Sequence, residues 1–280
     1  MSGVQKDWIR QSTSPSGLER IEAFFNGQGY SPHRHDTYAI GMTLAGIHNF
    51  HYRGQMRHSL PGSSIVIFPD EEHDGEAGTP QGFHYRIAYI DPARIRNILS
   101  ACNNQAGNTD LPFMPHGISD DLVLQRAISE LLGNVETPHD PLQEDDALFD
   151  LTQALIRVSD SQRPDNTNKT RVINLKAARI AREYIHSCAR QMITLDELEA
   201  ICDQDRWNLS RDFRILFGTS PYRYQTMRRL GNARSEIQAG ASLSDAAYAA
   251  GFTDQSHMSH HFKRAYGLTP ARWRRILAAF

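Results

Sequence analysis

Cysteine is nearly absent from this chain. Three residues in 280, Cys102, Cys188 and Cys202, make an odd count with no CxxC spacing, which excludes a disulfide framework and a zinc knuckle and suits a reducing cytoplasm. Long apolar runs are missing too: no stretch approaches the roughly 18–20 consecutive apolar residues that a bilayer span needs. The opening MSGVQKDWIRQSTSPSG carries no apolar segment behind its first charges, so neither a membrane span nor a secretory leader is expected. There is no GxSxG elbow, no phosphate-binding P-loop and no GxGxxG, and without such a constellation the chain reads as a non-enzyme. What is present is ordinary globular composition, 40% apolar and 22% charged, over a length that suits two domains.

The charge is unevenly spread. Residues 1–170 hold 13 Lys+Arg against 22 Asp+Glu, and residues 171–280 hold 17 against 10. A basic C-terminal part joined to an acidic N-terminal part points to a polyanion partner for the former and a different task for the latter. Residues 159–170, SDSQRPDNTNKT, contain no apolar side chain and cannot pack, so they read as a linker. Upstream, short apolar and aromatic runs (YAIGMTL, HNFHY, SIVIF, FHYRIAYI) alternate with Gly- and Pro-bearing turns between residues 36 and 90, the pattern of a β-sandwich or small barrel. After Pro115 the period becomes helical. Leu122, Ile128, Leu131 and Leu132 mark one amphipathic helix, and Leu148, Leu151, Leu155 and Val158 another. The second stripe either seams a dimer or covers the barrel.

From residue 171 the signals are helical almost throughout. A helix is expected from Arg171 to His186, and Thr194 with Glu197 forms a capping box ahead of LDELEAIC. Aligned on itself at an offset of 49, this part pairs Ser210 with Ser259, Phe213 with Phe262, Arg214 with Lys263, Phe217 with Tyr266, Gly218 with Gly267 and Pro221 with Pro270. Two copies of one helical unit follow. Each has a short helix, a turn and a second amphipathic helix whose apolar face is Leu209, Phe213 and Leu216, or Met258, Phe262 and Ala265. Helix-turn-helix units present the N-terminal residues of such a second helix to base edges in the major groove. Residues from Pro221 to about Gly240 read as one connecting helix, about 25 Å long, with Gly231 as an interior weak point.

These motifs carry a resemblance. Leu209, Arg211, Phe213, Gly218, Ser220 and Pro221, followed by Ala249, Gly251, Phe252, Phe262, Lys263, Gly267, Thr269, Pro270 and Trp273, make the last 110 residues similar to the DNA-binding domain of the AraC/XylS family of transcription regulators. The turn Cys202-Asp203-Gln204-Asp205 departs from the family in having two carboxylates and no Gly or Ala. The resemblance implies DNA contacts from Arg206, Trp207, Asn208, Ser210, Arg211 and Arg214 in the first unit. In the second they would come from Gln255, Ser256, His257, His260, Lys263 and Arg264, with His260 standing where relatives often have Arg. Trp207 would otherwise be a packing residue, and Arg211 would otherwise pair with Asp212 or Glu236.

The segments around Pro32-His33-Arg34-His35-Asp36, Pro61-Gly62 and Pro69-Asp70-Glu71-Glu72-His73 resemble the cupin-like effector-binding domain of the same family. The implied fold is α+β. An N-terminal arm (1–19) precedes a cupin-like β-barrel or sandwich (20–115) and a helical dimerisation segment (116–158); the linker (159–170) leads to two helix-turn-helix units joined by a helix (171–280). His33, His35, Tyr38, His51, His73 and Arg86 are the candidate effector-binding residues, their imidazole, phenol and guanidinium groups suiting a small polar molecule. His33, His35 and His73 would otherwise hydrogen-bond loops at the barrel mouth or hold zinc, iron or copper. The carboxylate of metal-binding cupins falls near Ala39 or Ile40 and is missing, so no metal and no cofactor are expected. Trp8 and Ile9 on the arm would close over the pocket. The expected partners are promoter DNA, a small-molecule effector, RNA polymerase and a second copy of the chain, with no membrane and a cytoplasmic location. The family's habit favours activation, and the rival class is a metal-dependent cupin enzyme with a DNA-binding appendage.

Overall fold

The computed structural model describes residues 6–102, 110–137, 139–160 and 173–277. Ten strands and ten helices are assigned among them. One sheet has six strands in the order β1 (Trp8–Thr13), β2 (Glu19–Phe25), β9 (Phe83–Ile90), β4 (Tyr38–Gly46), β7 (Ser64–Ile67) and β10 (Ile118–Ser119). The other has four: β3 (Gln28–His33), β8 (His73–Ala77), β5 (His48–Tyr52) and β6 (Gln55–Ser59). The pairings are antiparallel, and the two sheets face each other as a sandwich rather than a closed barrel.

The period of two sorts the side chains. Along β9, Phe83, Tyr85 and Ile87 join Phe25, Ala39, Phe50 and Tyr52 between the sheets. Ala88 and Ile90 point the other way, with Tyr38, Ile40 and Val66, into a second core under α1 (Pro92–Cys102), α2 (Leu122–Leu132) and α3 (Pro141–Asp160). The stripe Leu148, Leu151, Leu155 and Val158 is buried in that second core, so it covers the sheet and is not a free dimer seam. Leu122 departs from expectation: it stands at the first turn of α2, 77% exposed, beyond the reach of the core. Ser159 and Asp160 belong to the end of α3, and the rest of the expected linker lies outside the described residues.

The C-terminal part is all helical. It comprises α4 (Leu175–Ser187), α5 (Leu195–Cys202), α6 (Arg206–Phe217), α7 (Pro221–Gln238), α8 (Leu243–Ala249), α9 (Gln255–Tyr266) and α10 (Pro270–Ile276). Residues 171–172, where the first of these helices was expected to begin, are likewise outside the described residues. Thr194 accepts from the Glu197 N–H while Glu197 reaches back to the Thr194 N–H, the expected capping box. Asp203, in the turn that departs from the family, takes the left-handed conformation as the C-cap of α5. Asp205 accepts from the Trp207 and Asn208 N–H groups to start α6. Only the Asp205 carboxylate is therefore a helix cap, worth about 1 kcal/mol in a typical N-cap; Asp203 closes α5 through its main-chain N–H, which donates to the Glu199 carbonyl.

The expected arm is ordered as a strand, and its Ile9 lines a cavity between the domains. Trp8–Thr13 pairs with β2 as the edge strand of the six-stranded sheet, and Ile9 is buried. The apolar core of the sandwich also continues without a break into the second helix-turn-helix unit through Met227, Leu230, Met258, Phe262 and Trp273. The first unit keeps a core of its own, around Leu198, Leu209, Phe213 and Phe217.

Candidate functional site

Recognition helices end where the domains meet. In both units the C-cap is a glycine at positive φ, Gly218 (72°) and Gly267 (68°), a conformation that costs a side-chain-bearing residue about 1–2 kcal/mol. Both glycines also touch the sandwich. A Cβ on Gly218 would stand 2.7 Å from Pro69 Cβ, and one on Gly267 would stand 2.7 Å from the Ser31 carbonyl and 2.8 Å from His33 Nδ1. The Ser31 N–H donates to the Gly267 carbonyl (3.0 Å) and the Arg34 N–H to that of Arg264 (3.1 Å).

Ion pairs complete the contact. Arg182 meets Asp91 (2.7 Å), Arg228 meets Asp36 (2.8 Å) and Arg272 meets Asp7 (3.1 Å). Arg223 pairs with Asp70, and Arg234 with both oxygens of Glu19. Arg96 of α1 donates to the Leu216 and Ile215 carbonyls at the end of α6. The charge split seen in the sequence is thus in part internal: five C-terminal arginines face acids of the sandwich instead of solvent.

Between the domains lies a cavity of about 490 Å³. Its apolar walls include Ile9, Leu18, Tyr89, Met227 and Trp273, and its polar groups include Arg94, Arg182, Arg228 and Arg234. His33 and His35 line it. Asp36 lies fully inside the fold, where burial raises its carboxyl pKa against the pull of Arg228. Of the other expected effector residues, His73 joins His33 at a smaller hollow between the sheets. Tyr38, His51 and Arg86 do not reach the cavity. Tyr38 is on the helix-covered face, donating to the Pro112 carbonyl at 2.7 Å. His51 faces solvent and bonds Asp74. Arg86 is bound by Glu22 and the Gly133 carbonyl. The period of two explains all three, because each sits one residue out of phase with the inward-facing set. The arginines of α4 and α7 escaped the sequence reading; the opposite charges of the two halves were the available signal.

His33, His35 and His73 do come together, with ligand atoms within 4.8 Å of one another. All three imidazoles are held neutral, chiefly by burial and then by neighbouring histidines for His33 and His35: His33 is lowered well below the usual range, His35 to about 3 and His73, by burial, to about 4. His48, which the sequence reading passed over, is buried nearby, stacked on Phe83.

On the DNA-facing helices, Trp207 is 74% exposed, so it is not a packing residue. Asn208, Arg211, Arg214, Gln255, Ser256, His257, His260, Lys263 and Arg264 are exposed, and Arg206 and Ser210 partly so. Several are already engaged. Arg211 donates twice to Asp212 Oδ1 (2.8 and 3.0 Å), Arg206 pairs with Asp196 and Glu199, and Arg214 donates to Ser210. On α9 the imidazoles of His257 and His261 meet at 3.0 Å.

A sandwich bearing a cavity, fused to two helix-turn-helix units whose recognition faces are open, defines a ligand-binding, DNA-binding regulator. Residues 15–152 match the AraC-like ligand binding domain and residues 200–276 match a helix-turn-helix domain. The chain belongs to the AraC family of transcriptional regulators. It is 26% identical over 246 residues to the uncharacterized HTH-type transcriptional regulator YbfI of Bacillus subtilis (85% of this chain, 86% of that one). To the HTH-type transcriptional activator RhaS of Klebsiella pneumoniae it is 23% identical over 256 residues, 89% of each. In structure it is similar to ToxT of Vibrio cholerae, with a TM-score of 0.63 at 14% identity over 98% of each chain. Among the described residues no helix is long and apolar enough to cross a membrane.

Proposed function

We propose that the chain is a cytoplasmic, non-catalytic, promoter-specific activator whose effector binds in the interdomain cavity. The observation that carries this reading is the composition of the cavity wall: both domains supply it, and three of the arginines in it, Arg182, Arg228 and Arg234, are also interdomain ion-pair partners. A carboxylate entering the cavity competes with Asp91, Asp36 and Glu19 for those guanidinium groups, while apolar walls take the remainder of the molecule. The effector is then a mainly apolar carboxylic acid. Solved ToxT structures carry an unsaturated fatty acid and an arylbutenoic acid, which agrees with that chemistry. Binding shifts the DNA domain only by the effector's affinity difference between docked and released states.

Base reading is assigned to Trp207, Asn208, Ser210 and Arg211 on α6 and to Gln255, Ser256, His257 and His260 on α9, and phosphate contact to Arg206, Arg214, Lys263 and Arg264. A homodimer would set four such helices on two half-sites, with RNA polymerase as the further partner. The test is an anisotropy titration of the full chain on promoter DNA from beside its own gene, against random duplex at stated salt, with and without oleate. A preference of about 10³ or more that oleate shifts supports the reading. Equal binding to both duplexes, with and without oleate, overturns it.

A further inference from the structure

We propose that His33, His35 and His73 form a binding site for one first-row transition-metal ion. The carboxylate of metal-binding cupins is missing here, but the three imidazoles converge without it, their ligand atoms within 4.8 Å of one another. Antiparallel pairing sets His33 at the end of β3 opposite His73 at the head of β8. His35, in the turn leading to β4, is held by its own carbonyl, which accepts from the Asp70 N–H at 2.8 Å. The ring centroids lie 4.2, 4.8 and 6.0 Å apart.

The hydrogen bonds assign the tautomers. Each Nδ1 meets a main-chain carbonyl: Ser31 for His33 (2.9 Å), Thr37 for His35 (2.9 Å) and Glu71 for His73 (3.0 Å). A carbonyl only accepts, so each Nδ1 carries the proton and each Nε2 carries the lone pair. Metal-ligating histidines are oriented in this way, one ring nitrogen donating to a fixed oxygen and the other facing the ion. His35 Nε2 is buried without a hydrogen-bond partner, a state that costs free energy unless a proton or cation occupies the space. Bonds of about 2.0–2.1 Å would draw the rings inward from their present spread. Three neutral imidazoles select zinc, copper, iron or nickel over magnesium or calcium, and three protein ligands leave a coordination position open.

The site lies directly behind the domain contact. Asp36, the partner of Arg228, follows His35 in the chain, and His33 Nδ1 abuts Gly267. An ion there ties β3, β8 and the turn between β3 and β4 together at the surface on which α7 and α9 rest. This does not depend on which effector fills the cavity.

The test uses the full-length chain after chelator treatment, titrated with Co2+ and followed by visible absorption, with Zn2+ as competitor. One Co2+ per chain, displaced by Zn2+ and not by Mg2+, is expected, together with a rise in the thermal midpoint. His35→Asn and His73→Gln should each weaken Co2+ binding by tenfold or more, on the scale seen when a metal's supporting groups are lost. His51→Asn, on the outer face, should leave binding unchanged. Absence of stoichiometric binding to the wild-type chain at millimolar Co2+ or Zn2+ overturns the proposal, and that measurement needs no variant to fold. Binding that persists in the His33, His35 and His73 triple variant and disappears in His257→Ala/His261→Ala also overturns it, by placing the ion on α9.

Discussion

Asp212 shows how a recognition helix is held from below. It is buried beneath α6 and accepts from the Gln204 amide (2.9 Å), the Asn174 N–H (3.1 Å) and Arg211. Burial pushes its carboxyl pKa up, but these hydrogen bonds outweigh burial and hold it below the usual range. Asp212→Asn should therefore destabilise the chain by about 1–3 kcal/mol near neutral pH. A carboxyl with a depressed folded-state pKa contributes its stability above the unfolded value of about 3.9 and loses it as pH falls through the folded value. The gap between wild type and variant, read by denaturant unfolding, should close only below about pH 4. Arg211, oriented by the same carboxylate, should behave as a base reader. Arg211→Ala is expected to cost about 1–3 kcal/mol at one base position, whereas Lys263→Ala weakens all duplexes alike and flattens the salt slope. Anisotropy on cognate and random DNA separates the two, and equal losses for Arg211→Ala on both duplexes would remove it from the reading face. The helical period by itself puts Leu209, Phe213 and Leu216 on the inward face and leaves Arg211 outward, whereas the DNA-contact roles of Arg211 and Lys263 come from the family resemblance and the support from Asp212 is visible only in the fold.

The connecting helix α7 has two jobs. It joins the two DNA-binding units, as its length implied, and it also forms a wall of the cavity through Tyr224, Met227, Arg228 and Gly231. Gly231 faces open space, since a Cβ there would meet nothing within 4 Å, and its φ is not positive. Gly231→Ala should stabilise the protein by about 0.5–1 kcal/mol, through helix propensity and a less flexible unfolded chain, measurable as a higher thermal midpoint. It should also narrow the cavity and weaken a bulky effector. Gly267→Ala should do the opposite to stability, because it strains a left-handed C-cap and drives a methyl into β3. From sequence, Gly231 reads only as a weak point, since a helical pattern does not say whether a neighbour or a void lies beside a given face.

At the scale of the whole molecule the two domains form one packed body whose interface is rich in arginine. Arg234 and Glu19 are both mainly buried, with side-chain exposures of 13% and 19%. Glu19→Gln removes the charge that compensates the guanidinium, and the expected loss is about 3 kcal/mol, the lower end for a broken buried pair. Calorimetry should show it as a lower melting temperature. Because the same pair holds α7 to the sandwich, hydrogen exchange in β2 and α7 should rise together; an increase confined to β2 would deny the coupling. Local rules legible in one stretch of chain determined the two-part organisation, the strand-rich first part, the repeated helix-turn-helix and the polar face of each recognition helix, because periodicity, caps and turn residues act over a few positions. Tertiary structure alone decided that the expected arm is an edge strand, that the stripe on α3 is core, that Tyr38, His51 and Arg86 stand away from the cavity, and that five C-terminal arginines turn inward. Each of these depends on strand phase or on which surface meets which, and contacts between residues as far apart as Asp7 and Arg272, 265 positions, leave no periodic trace in the sequence.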